Sequence, residues 1–133
     1  MIKKIFPLVF WLVRFTGLAE LIRFLFARNR ISIVLYHNPE PRFFEMHLQY
    51  ITRRYNLITL ADLKRAVLEG NMNGIPPYAM LITFDDGWKE NYHLLPLFQK
   101  YNVRPVIFLT ANIVCTDRHF WWTHCDEARL DAI

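Results

Sequence analysis

Two adjacent carboxylates, Asp85 and Asp86, follow an apolar run and precede a glycine in Thr83-Phe84-Asp85-Asp86-Gly87. Like charges this close oppose each other's ionisation, so an uncompensated pair is costly where solvent is scarce. A divalent cation removes that penalty and leaves the second carboxylate free to act as a base. Gly87 lets the chain turn sharply where a Cβ would clash. The plain alternative is an Asp-Gly turn leading into a helix, because Asp is a favourable N-cap.

The elements that must carry these residues alternate between strand and helix from residue 31 onward. That alternation marks βα units and a parallel sheet, an α/β fold. Strands are expected over 31–36, 57–59, 79–84 and 105–109, with helices over 42–54 and 61–69. Gly74, Pro76 and Pro77 mark a loop, and Pro96 is expected to break the helix that follows the acids. The polar strand ends then hold His37, the pair Asp85 and Asp86, and Thr110 to Asn112. Barrel enzymes place their chemistry at such ends. On position alone, His37 suits a pocket role and a structural hydrogen bond equally, whereas His47 and His93 read as structural.

Thr-Phe-Asp-Asp-Gly after an apolar strand resembles the first motif of the polysaccharide deacetylases, the NodB-like carbohydrate esterases of family 4. Ile33 to His37 resembles that family's opening strand. Phe44 to Leu60 resembles its first helix and second strand, and Asn91-Tyr92, Leu95-Pro96 and Arg104 to Leu109 resemble the elements after the acids. Phe120-Trp121-Trp122 resembles an aromatic segment of one branch. The likeness covers about residues 31 to 125. It implies an irregular (β/α) barrel of NodB type and metal-dependent hydrolysis of acetyl groups on an N-acetylated, or less favourably O-acetylated, polysaccharide. It also implies Asp85 as the general base and Asp86 as a metal ligand, with Thr83, Gly87, Trp88 and His37 at the substrate pocket. Zinc is the leading ion, and cobalt, nickel or manganese suit the same donors.

The family's later motifs do not occur. His124-Cys125-Asp126-Glu127-Ala128 lacks the hydroxyl and second ligand of His-Ser/Thr-x-x-His/Asp, and neither Arg-x-Pro-Tyr nor a late Leu-x-His is found. The expectation is therefore the N-terminal portion of a deacetylase domain over 31–133, a truncated form whose barrel a complementing chain could complete. Its competitor is a non-catalytic, membrane-associated remnant that binds no metal. A phosphatase-type Asp nucleophile fits less well, because adjacent acids are not the Asp-x-Asp spacing of that class.

The 133 residues are 53% hydrophobic, enough to fill a core, and 16% aromatic. Their net charge of +4 is local: residues 1–30 hold six basic residues against Glu20, a balance of +5, which leaves the remainder at −1. This is not a nucleic-acid surface, and no recognised RNA-binding pattern accompanies the aromatics. The run from Ile5 to Val13 is far short of the roughly 20 residues that span a bilayer. Segment 1–30 instead suits an apolar, basic helix lying in a membrane interface, with Phe10, Trp11, Phe15, Phe24 and Phe26 towards the lipid. That places the protein at a membrane or in the cell envelope. A signal peptide cut near Gly17-Leu18-Ala19, weakened by Arg14, and a helix packed on the barrel remain alternatives. Cys115, His119, His124 and Cys125 have enough donors for a zinc site but match no known zinc spacing, so free cysteines are the default.

Overall fold

In the computed structural model, residues 15–114, 116–118 and 120 are described. The expectations on Phe10, Trp11, Trp121 and Trp122, and on the Cys115/His119/His124/Cys125 cluster, lie outside them. The architecture is organised around one strand, β3 (Ala79–Phe84), whose six residues are all buried. An unbroken apolar run of this kind suits the middle of a parallel sheet covered on both faces.

β1 (Ile31–Tyr36) pairs with β3 along its whole length, from Ile31 opposite Ala79 to Tyr36 opposite Phe84. On the other side β3 is shared. β2 (Asn56–Leu57) meets its beginning, Asn56 opposite Ala79, and β4 (Val106–Ile107) meets its end, Thr83 opposite Val106. All three pairings are parallel, which requires crossover connections, and helices supply them.

α1 (Leu18–Ala27) precedes the sheet, and Gly17 at φ 71° separates it from Phe15, so no continuous helix runs through this stretch. α2 (Pro41–Thr52) starts with Pro41, where a missing N–H has no intrahelical partner to lose. Its buried residues Phe44, Leu48 and Ile51 recur at helical spacing and form one stripe. α3 (Leu60–Glu69) begins with a reciprocal cap: the Thr59 side chain accepts from the Asp62 amide, and the Asp62 carboxylate accepts from the Thr59 amide at 2.9 Å. Gly70, at φ 64°, closes it. After the acids a 3₁₀ turn over Lys89–Leu94 passes directly into α4 (Leu95–Lys100). Pro96 therefore sits in the first turn of a helix instead of breaking one. There its absent N–H costs nothing.

Two apolar layers sandwich β3. Ile82 and Phe84 pack with Phe44, Leu48, Leu94, Phe98 and Val103, flanked by Val34 and Tyr36. Ala79 and Leu81, on the opposite face by the two-residue period of a strand, join Ile58 with Leu63, Ile75 and Val106 around them. Within the first layer Phe44 meets Tyr36 edge-on at 5.0 Å and Phe98 at 5.9 Å, the geometry that aromatic quadrupoles favour.

Candidate active site

The layers bring the end of β3 to the surface at a defined point. The Asp85 amide donates to the Tyr36 carbonyl at 2.9 Å, and the Phe108 amide donates to the Phe84 carbonyl at 2.8 Å. Strand β3 is thus held on both sides up to the residue where the carboxylates begin. Asp86 (φ 66°) and Gly87 (φ 63°) then occupy the left-handed region in succession, which turns the chain across the strand ends. Asp enters that region more readily than bulky residues do. Gly87 has a second reason to be glycine, since a Cβ there would lie 2.4 Å from Leu109 Cδ2.

Beyond the turn lies a cleft of about 770 Å³, lined by Asp86, Gly87, Trp88, Leu109, Thr110 and Phe120 among others. The Trp88 and Phe120 rings lie 4.9 Å apart, inclined by 32°, and form an aromatic wall. Lys89, Glu90, Asp117 and Arg118 add charges to the lining. Trp88 Nε1 is buried and has no hydrogen-bond partner among the described residues.

The expected site residues separate into three groups. Asp86, Gly87 and Trp88 line the cleft; Asp85 is half-buried beside it, and His37 is exposed beyond the end of β1. Thr83 is buried within the sheet, its hydroxyl donating to the Val34 carbonyl at 3.3 Å, so it supports the strand end from within. A residue that sequence reasoning leaves without a site role is Asn91. It is buried, and its Nδ2 donates to the His37 carbonyl at 3.0 Å, which ties the loop after β1 to the turn after the acids. Its position four residues past Gly87 carries no local signal for a contact made across the sheet.

Among the described residues no salt bridge involves Asp85 or Asp86, and no three His, Cys, Asp or Glu side chains come together as a metal-binding group. Zinc in a protein commonly takes four ligands, or three with a water. The described donors do not reach that number, so they do not by themselves make a metal centre. They do place a carboxylate beside an aromatic cleft, where it can accept a proton from water or another acidic ligand group.

No known family matches the chain by its sequence pattern, and no curated protein matches it. Solved structures do share its fold. The chain is similar to the Streptococcus pyogenes deacetylase PplD, solved in complex with acetate, with a TM-score of 0.54 and 17% identity over 77% of this chain and 53% of that one. It is also similar to a de-N-acetylase from Aggregatibacter actinomycetemcomitans, with a TM-score of 0.50 and 19% identity over 58% of this chain and 36% of that one. The chain therefore shares its fold with part of each of these two proteins, and it spans about half or less of each.

Proposed function

We propose that this chain contributes the acid-bearing first part of a domain that hydrolyses acetyl groups from an N-acetylated, or alternatively O-acetylated, polysaccharide. The observation that carries the reading is the Asp85-Asp86 pair at the C-terminal end of a buried parallel strand, beside an aromatic-walled cleft. The deacetylase-like fold supports it.

In this reading Asp85 is the general base. It takes a proton from a water molecule whose oxygen attacks the acetyl carbon; the C–N bond then breaks, releasing acetate and an amine that must itself receive a proton. A positioned base of this kind typically contributes 10²–10⁴-fold. Asp86 would be one donor to a divalent ion, zinc foremost, which when bound would polarise the acetyl carbonyl. Trp88 offers its ring face to a sugar, and Asn91 keeps the loop bearing His37 against the site.

The test is acetate release from chitin oligosaccharides, together with zinc retention after dialysis, for the chain combined with a complementing chain that supplies the remaining donors, and for Asp85→Asn and Asp86→Ala in the same combination. The expected result is a roughly 10²–10⁴-fold loss of acetate release in Asp85→Asn and loss of retained zinc in Asp86→Ala, with far-UV circular dichroism unchanged. Variants equal to the parent in both readouts overturn the assignment. A folded chain that retains no zinc and releases no acetate even with a complementing chain supports the remnant reading instead.

A further inference from the structure

The segment ahead of the sheet is turned the opposite way from a helix on a water-soluble domain. In α1, Glu20, Arg23 and Ala27 fall on one side of the helix, and this side faces the protein. Arg23 Nη1 donates to the Arg54 carbonyl at 3.0 Å, Arg23 Nε donates to Glu20 Oε2 at 2.9 Å, and Arg54 Nε donates to Glu20 Oε1 at 3.1 Å. The Arg23 guanidinium also lies 4.4 Å from the centre of the Tyr78 ring. The Arg28 carbonyl, at the helix end, accepts from the Tyr78 amide at 3.0 Å. The charged groups of the helix are therefore its attachment.

The side turned outward is apolar. Leu18, Leu21, Ile22 and Leu25 cluster within about a third of a turn at 100° per residue, and they remain 41%, 52%, 47% and 62% exposed. Phe24 and Phe26 flank them, also about half exposed. Contiguous apolar surface of this kind marks a binding face. Its electrostatic surroundings select the partner. Glu20 is engaged by two arginines, and exposed Arg28 and Arg30 follow the helix within a segment whose balance is +5. No helix among the described residues is long and apolar enough to cross a membrane.

We infer that the outward face of α1 docks the protein onto an anionic lipid bilayer, lying in the interface with its leucines in the acyl region and its arginines among the headgroups. An apolar face with basic flanks is the pattern that binds such surfaces. The sequence pattern alone emphasises the aromatic residues; the structure transfers the leading role to Leu18, Leu21, Ile22 and Leu25. It also gives the docked protein an orientation. Arg54, Tyr55 and Tyr78 stand at the beginnings of β2 and β3, whereas Asp85 and Asp86 stand at the far end of β3. Six residues of strand separate the two ends by about 20 Å, so the residues that hold α1 and the acids lie at opposite ends of β3. This inference does not depend on the deacetylase reading.

The test is co-sedimentation of the full chain with vesicles of phosphatidylcholine alone or with a quarter phosphatidylserine. The expected result is binding that prefers the anionic vesicles and weakens with added salt. Leu21→Glu with Leu25→Glu should lower the partition coefficient by about tenfold or more, and the milder Ile22→Ser by several-fold. Unchanged circular dichroism shows that each variant folds. Absence of binding to either vesicle overturns the inference. So does binding that the face variants leave untouched, which would assign it to residues 1–14. A dimer in size exclusion that the same variants dissociate, with no vesicle binding, assigns the face to a second copy and overturns it equally.

Discussion

Gly87 concentrates the local demands of the acid turn in one residue. Its φ of 63° follows Asp86 at 66°, and the space a methyl group would need holds Leu109 Cδ2. The Leu109 end can swing aside, but the left-handed backbone remains costly for a residue with a Cβ, by about 1–2 kcal/mol. Gly87→Ala is therefore expected to lower stability by that amount in urea denaturation and to lower acetate release along with it. A variant with full stability would show that the turn relaxes without penalty. The acid pair itself was legible in the sequence, since charge directly after an apolar run is conspicuous. Asn91 was not, because its bond to His37 joins residues 54 positions apart. Nor could the meeting of Trp88 with Phe120 be read, since it depends on where the chain returns after β4.

At the level of elements, α2 and α1 attach to the sheet by different means, and they should fail differently. α2 attaches through Phe44, which is fully buried against Tyr36, Phe84 and Phe98. Removing such a ring typically costs about 3–5 kcal/mol, so Phe44→Ala should shift the urea midpoint sharply or unfold the chain; a shift below about 1 kcal/mol would mean the site collapses to fill the gap. α1 attaches through charge. Hydrogen bonds from Arg23 and then Arg54 hold the Glu20 carboxyl below its ordinary pKa. A depressed acid contributes stability above its unfolded value and loses it as pH falls through the folded one. Acidification below the ordinary carboxylate range should therefore lower the protection of the α1 amides, measured against their intrinsic exchange at the same pH, while β3 stays protected; equal protection factors in α1 at neutral and acid pH would remove Glu20 from the attachment. The elements after residue 31 were mostly readable because hydrophobic period and turn residues agree. The exceptions are instructive. β2 covers Asn56–Leu57 and β4 covers Val106–Ile107, both shorter than their apolar runs suggest, since strand length depends on a neighbour as well as on composition. Pro96 starts a helix where a break was expected, because the proline falls where its missing N–H is free.

For the molecule as a whole, the sheet is asymmetric. β3 has partners on both sides, whereas β1 has one among the described residues, and Ile33 and Leu35 on it are 60% and 50% exposed. An open apolar edge is a template for association. Static light scattering should show mass rising with concentration, and Leu35→Lys should suppress the rise; an unchanged profile would clear β1 of that role. The register of β3 has a temporal consequence as well. Its longest ladder joins Ile31–Tyr36 to residues nearly fifty positions later, while its ladder with β4 joins residues much nearer in the chain. At about 5–20 residues per second of synthesis, β1 waits several seconds for the strand that shelters it. During that interval its fate rests on whatever apolar surface it meets first, and any pause in translation across Gly70 to Pro77 prolongs the exposure.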